Sequence, residues 1–108
     1  MSTLDDREKA MEKKFAMDEA MMFKAEARCC KMLGLWLAEQ LGLDGGEAEV
    51  YAGTVVAANL EEPGFDDVKR AVMPDITAKG LAITEADLDQ KLEVLLIEAQ
   101  KQIRNEAT

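Results

Sequence analysis

The residues that could carry catalytic chemistry are few in this chain. There is no histidine among its 108 residues, which removes the commonest general base and the commonest metal ligand. Cys29 and Cys30 are the only cysteines. Neighbouring cysteines within a helix cannot form a relaxed disulfide, and two thiolates without further ligands do not make a zinc site. We expect both to be small core residues, with a thiol-reactive role as the alternative.

Three acidic pairs and one glycine pair are the other motifs that could form a binding site. Asp5-Asp6, Glu61-Glu62 and Asp66-Asp67 are spaced as helix-start and loop charges, so we interpret them as solvated surface rather than as a cation site. Gly45-Gly46 lacks the downstream lysine that a phosphate-binding loop requires. The sequence therefore predicts no catalytic residue, no metal and no cofactor. We expect that the protein is not an enzyme.

Composition and charge limit the class of partner. A chain of 108 residues with 48% apolar and 32% charged residues fits one folded domain. Residues 1–31 carry seven acids and seven bases, so residues 32–108 account for the whole net charge of −9. So acidic a surface repels nucleic acid and anionic membranes. No apolar stretch approaches the roughly 20 residues of a membrane span, and the acidic start is unlike a secretion signal. We therefore expect a cytoplasmic protein without direct membrane insertion.

Helix formers separated by clear breaks predict an all-α fold of four helices. The first helix extends from Asp5 to Leu41 and ends at Gly42, where a left-handed residue is favoured. Asp44 and Glu47 are spaced as a capping box before a second helix, which reaches about Leu60. Further helices are predicted at 66–79, ending before Gly80, and at 84–104, where Thr84 and Asp87 are spaced as a second capping box. The former contains Pro74, which predicts a kink or break between Val72 and Asp75.

The first helix is too long for the rest of the chain. At 1.5 Å per residue it would span roughly 55 Å, against about 32 Å for the last helix. We therefore expect residues 1–18 to form a projecting N-terminal arm that offers itself to a partner, and residues 19–108 to form the globular four-helix bundle. A polar helix of this length is marginal alone in water, so the arm is expected to be frayed or disordered when free. Met11 and Phe15 are its apolar anchors.

Apolar spacing predicts which faces the helices bury. The first helix presents two adjacent rows and is expected to be the central element. Its rows are Met22, Ala25, Cys29, Met32, Trp36 and Phe23, Cys30, Leu33, Leu37, Leu41. The second helix presents Tyr51, Val55 and Ala58, with Val56 on a neighbouring row. The last helix presents a one-sided stripe of Leu88, Leu92, Leu95, Leu96, Ala99 and Ile103.

Several local motifs together resemble one known family. They are Leu4-Asp5-Asp6-Arg7-Glu8, Lys14-Phe15-Ala16-x-Asp18-Glu19, Phe23-Lys24-Ala25-Glu26-Ala27-Arg28, Lys31-Met32-Leu33-Gly34-Leu35-Trp36 and Glu61-Glu62-Pro63-Gly64. In combination they resemble the zeta subunit of the alphaproteobacterial F-type ATP synthase, an ATPase inhibitor family. The resemblance covers essentially the whole chain and is strongest in residues 4–42.

This resemblance implies a four-helix bundle with an N-terminal inhibitory segment, here about Ser2 to Phe15. The segment would enter the catalytic head at an interface of the alpha, beta and gamma subunits and block rotation in the direction that hydrolyses ATP. The free protein would be a monomer, and it would be peripheral to the inner membrane through the enzyme. The residues expected to contact the partner are Leu4, Asp5, Asp6, Arg7, Glu8, Lys9, Met11, Glu12, Lys14 and Phe15.

Two alternatives of another class remain at this point. The bundle could be a small regulatory module that binds a nucleotide weakly, although its acidity disfavours this. The arm could instead serve an adaptor that binds a different protein, without inhibition of an ATPase.

Overall fold

The computed structural model describes residues 18–60 and 64–107, and within these ranges it contains four α-helices and no strand. They are α1 (Glu19–Gln40), α2 (Gly45–Asn59), α3 (Asp66–Lys79) and α4 (Glu85–Ala107). The prediction of an all-α, four-helix fold is confirmed.

The first helix begins at Glu19 rather than continuing through from Asp5. The backbone of Asp18 is extended, with φ −67° and ψ 169°, and its side chain accepts a hydrogen bond from the backbone N–H of Met21. A capping aspartate satisfies a backbone donor that a helix leaves free at its first turn. The expected unbroken helix from Asp5 to Leu41 is therefore wrong at Asp18, and its part over residues 5–17 lies outside the described residues.

Glycines end α1 and α3 as the sequence predicts. Gly42 has φ 81° and Gly80 has φ 73°, both in the left-handed region. At the end of α1, the N–H of Leu43 donates to the carbonyl of Ala38 at 2.8 Å, and the N–H of Gly42 donates to that of Glu39 at 3.1 Å. This pair of bonds is the Schellman motif, which satisfies carbonyls that a helix end would leave unpaired.

The two predicted capping boxes have different outcomes. At the start of α4 the box is complete, since the N–H of Asp87 donates to Oγ1 of Thr84 at 3.1 Å and the N–H of Thr84 donates to Oδ2 of Asp87 at 2.9 Å. At the start of α2, Asp44 holds the capping position, but its side chain makes no capping hydrogen bond. Its main-chain carbonyl accepts from Glu47 instead, at 3.1 Å. The capping box predicted there is wrong.

The core is built around α1, which packs against both α2 and α4. The buried apolar residues of α1 come from both predicted rows, and Leu88, Leu92, Ala99 and Ile103 supply the buried stripe of α4. The fully buried apolar residues of α1 are Ala25, Cys29, Cys30, Leu33, Leu37 and Ala38. Across the contact with α4, Nζ of Lys91 lies 4.9 Å from the centre of the Trp36 ring, a favourable cation–π arrangement.

Phe23 is the exception in the predicted rows, because 56% of it is exposed. Helix α1 has 22 residues and α2 has 15. The connection between them, residues 41–44, is short, so the two helices run antiparallel from that end. About 10 Å of α1 at its N-terminal end therefore lies beyond the reach of α2. Phe23 belongs to this stretch, and its assignment to the core was wrong.

Helix α3 is continuous from Asp66 to Lys79 with Pro74 inside it. The predicted break between Val72 and Asp75 is therefore wrong. Pro74 and Arg70, the residue four positions earlier, are both exposed, so the carbonyl that loses its donor lies on the side of α3 open to water. Val68, Val72 and Ile76 are buried on the opposite side and hold the helix to the bundle.

The closest contact of the core joins α1 to α2 at Gly34. A Cβ added there would lie 2.6 Å from Cα of Ala52 and 3.2 Å from Cγ2 of Val55. We expect Gly34→Ala to lower the free energy of unfolding by about 1–3 kcal/mol, because the helices must move apart to admit the methyl group. Urea unfolding followed by circular dichroism measures this change.

Gly53→Ala is the matched control, since Gly53 lies inside α2 and a Cβ there would meet nothing within 4 Å. This variant should be more stable than the wild type by roughly 0.5–1 kcal/mol, the usual difference between alanine and glycine within a helix. Equal stability of the Gly34→Ala variant and the wild type would contradict a close α1–α2 contact.

Candidate functional site

The ten partner-binding residues predicted from the sequence all lie before residue 18, outside the described residues. The structure does describe the end of the bundle to which this segment is joined. We call it the attachment end, and it consists of Asp18, residues 19–28 of α1 and residues 100–106 of α4.

Asp18 fixes the start of α1. Its Oδ1 accepts the N–H of Met21 at 2.8 Å, and its main-chain carbonyl accepts the N–H of Met22 at 2.9 Å. Glu19 follows in the first turn of α1, where the helix dipole favours a negative charge. The boundary predicted near Asp18 and Glu19 thus coincides with a capped helix start.

Polar contacts with the last two turns of α4 hold this end of α1. The guanidinium of Arg28 donates to both carboxylate oxygens of Glu106, with Nη2 lying 3.0 Å from Oε1, and Nη1 also lies 3.4 Å from Oε1 of Gln102. Farther along, Nε2 of Gln100 lies 3.8 Å from Sδ of Met22. These contacts keep the start of α1 in place where α2 no longer covers it.

The ion pair between Arg28 and Glu106 is electrostatically favourable for both side chains. The hydrogen bond from Arg28 lowers the pKa of Glu106 below its usual range, and the same bond raises the pKa of Arg28. Because a depressed carboxyl pKa favours the folded state only while the group is ionised, this contribution is present at neutral pH and is lost as the pH falls through the folded pKa. The pair is solvent-accessible, so salt should weaken it.

The shallow groove beside α3 is poorly suited to a phosphate group. Lys69 is its central cation, and its Nζ lies 2.8 Å from Oδ1 of Asp89, 3.5 Å from Oε1 of Glu85 and 3.7 Å from Oδ1 of Asp66. The hydrogen bond with Asp89 is the main cause of the raised pKa of Lys69. A nucleotide phosphate approaching Lys69 would meet three carboxylates, which disfavours a nucleotide site at Lys69.

The two cysteines lie in the core, as predicted. Both are fully buried and neither is in a disulfide. The Sγ of Cys29 lies 3.6 Å from the carbonyl oxygen of Leu92 on α4. Burial raises the pKa of each thiol to about 12, so both remain protonated at neutral pH. Since the thiolate is the reactive form, the environment of these residues does not support a redox role.

Two further properties follow from the described part of the chain. In residues 18–60 and 64–107, no group of three or more cysteine, aspartate or glutamate side chains is arranged to hold a metal ion. None of the helices found there combines the length and the apolar character required to cross a membrane.

Comparison with known proteins identifies a family and a similar solved structure. The family model for the ATPase inhibitor subunit zeta matches residues 1–102. A solution NMR structure of a protein 46% identical to this chain is similar in fold, with a TM-score of 0.69, and the alignment covers 80% of this chain and 98% of that one. The search of curated proteins found no match. The family match includes both the segment before Asp18 and most of the bundle.

Thiol labelling tests whether the cysteines are sealed in the core. We expect Cys29 and Cys30 of the native protein to resist Ellman's reagent at pH 8 and to react fully in urea, because burial keeps them protonated and inaccessible. A variant with Ala57→Cys, which places a thiol at an exposed position of α2, should react at once through that single residue. Rapid labelling of two thiols in the native wild type would contradict the buried assignment.

Proposed function

The chain belongs to the ATPase inhibitor subunit zeta family, and we propose that its N-terminal segment, about Ser2 to Phe15, inhibits ATP hydrolysis by the F-type ATP synthase. The observation that carries this proposal is the extent of the family match, which begins at residue 1 and so includes the segment as well as the bundle. The segment inserts as a helix at an interface of the alpha, beta and gamma subunits in the catalytic head.

The structure supports separate roles for the bundle, which holds the folded core, and for the segment, which binds the partner. Every fully buried apolar side chain of the described residues lies between Ala25 and Ala99, with Ile103 almost fully buried beyond them. The buried core of the described residues is thus supplied by the four helices themselves. The Asp18 cap gives α1 its own start, so the bundle does not need the segment to be helical. We infer that the segment can be ordered by a partner without any cost to the core.

Insertion of the segment requires no bond chemistry. A helix of about 14 polar residues is marginal in water because nucleation costs more than a few hydrogen bonds return. A partner that supplies contacts along the helix removes this obstacle, and such coupled folding lets a slender segment fill a deep crevice at moderate affinity. The catalytic interfaces of a rotary ATPase open and close in each cycle. A helix wedged at one of them stops the cycle sterically.

The residue types of the segment suit this use. Met11 and Phe15 supply the apolar anchors, since residues four apart lie on one helix face, and Leu4 is a further apolar contact residue. The remaining partner-binding residues are the charged side chains Asp5, Asp6, Arg7, Glu8, Lys9, Glu12 and Lys14. Acids and bases are mixed among them, so the segment can match subunit surfaces that present both signs of charge. The bundle stays outside as an anchor, and the protein is thereby held at the cytoplasmic side of the inner membrane.

Removal of the segment tests the proposal. A chain lacking residues 1–15 should lose inhibition of ATP hydrolysis by the cognate catalytic head, while its helical circular dichroism and its melting temperature stay close to those of the full chain. The reason is that α1, α2, α3 and α4, which supply the described core, all begin after the deleted residues. The full-length chain, assayed at the same concentrations, is the control. If the truncated chain inhibits at full potency, the segment is not the effector and the proposal is wrong.

A further inference from the structure

One large aromatic side chain lies on the outside of the bundle close to the proposed inhibitory segment. In the described part of the chain, five large apolar side chains are exposed, namely Phe23, Val50, Leu60, Val94 and Ile97. Single exposed aliphatic residues are common on protein surfaces and need no explanation. Phe23 differs from the other four because it is aromatic and because it lies on α1, the helix that the segment joins.

The surroundings of Phe23 leave its ring accessible. Its neighbours on the same helix face, three residues before and four residues after, are Ala20 and Ala27. Both side chains are methyl groups, so the ring projects above the helix surface around it. Helix α2 does not reach this part of α1, and the hydrogen bonds with α4 here involve Arg28 and Met22. Phe23 is not among the described residues that form the core or pack against it.

The charge near Phe23 also differs from that of the rest of the bundle. Residues 19–31 carry two acids and three bases, whereas residues 32–108 carry fifteen acids and six bases. Arg28 is committed to Glu106, and Lys31 lies 3.9 Å from Glu49. Lys24, the residue after Phe23, is exposed. Glu19 and Glu26 lie four residues before and three residues after Phe23 on the same helix face. The surface that fits this end is therefore an apolar pocket whose rim accepts charges of both signs.

The position of Phe23 along α1 indicates which partner offers such a pocket. Seventeen residues precede the described chain, and they join it at Asp18. Phe23 is five residues farther on, about 7.5 Å along the helix axis. A partner that holds the segment up to Phe15 must lie next to the first turns of α1. Aromatic side chains that enter pockets contribute strongly to protein–protein affinity, and Phe23 is the one placed to do so here.

We propose that Phe23 is a second anchor of the inhibitor: its ring enters an apolar pocket on the catalytic-head subunit that also receives the inhibitory segment. This inference rests on the proposed function, because it assigns the partner from the segment's target. It extends the partner-binding surface beyond the segment and onto the folded bundle.

The test compares substitutions of exposed apolar residues in the full-length chain. Phe23→Ala should weaken both binding to the isolated catalytic head and inhibition of its ATPase activity by about 10- to 30-fold. Phe23→Leu retains an apolar side chain and should stay within about threefold of the wild type. Val94→Ala is the matched control, since Val94 is 62% exposed but lies on α4, and it should leave binding unchanged. The melting temperatures of all three variants should stay within a few degrees of the wild type.

Each other outcome has a definite meaning. Equal binding by Phe23→Ala and the wild type overturns the anchor, as does tighter binding, which would mean that the ring holds the segment back. The wild type could also prove to be a dimer that Phe23→Ala dissociates, while binding to the catalytic head stays unchanged. This result would assign the ring to a contact with a second copy and would also overturn the anchor. If the wild type binds without inhibiting, the proposed function fails, while the effect of Phe23→Ala on binding still decides the anchor. If the wild type does not bind, both fail.

Discussion

The close contact of α1 with α2 at Gly34 is the constraint on which the rest of the structure depends. A Cβ on residue 34 would lie only 2.6 Å from Cα of Ala52, so glycine lets the backbones of α1 and α2 approach each other closely. The helix that covers the apolar face of α1 here, α2, has only 15 residues. Dense packing of this kind tolerates little change in volume. Because α2 is short, it covers only the C-terminal part of α1, and the start of α1 is left to other contacts.

The attachment end is left to other contacts because α2 is too short to cover it. Where α2 no longer reaches, α1 is held by α4 through the ion pair between Arg28 and Glu106 and through the contact of Met22 with Gln100. Asp18 caps the helix at the same place. The bundle thus ends with a helix that starts on its own and presents an exposed aromatic ring beside its start. Such an end suits the proposed function, in which the folded part stays intact while the partner orders the preceding segment.

Local signals in the sequence were sufficient for the number of helices and for most of their ends; the exceptions are the start of α1 at Asp18 and the capping box at Asp44. Left-handed glycines and the Thr84–Asp87 capping box depend on neighbouring residues alone, and their predictions are confirmed. The errors at Phe23 and Pro74 concern properties that depend on other parts of the fold. Phe23 fits a core row by spacing, but its exposure is decided by where α2 ends. Pro74 could remain inside α3 because the affected turn faces water. The partner-binding residues before Asp18 stay a prediction from the family resemblance, since no contact within the bundle bears on them.

Photo-crosslinking would test the central claim, that the N-terminal segment rather than the bundle enters the catalytic interface, most directly. A photoreactive amino acid would replace Met11 in one full-length chain and the exposed Val50 of α2 in another, and each would be irradiated with the catalytic head during ATP hydrolysis. The account predicts crosslinks from position 11 to the alpha or beta subunit and none from position 50 to those interfaces. Crosslinks at the interfaces from position 50, with none from position 11, would contradict it.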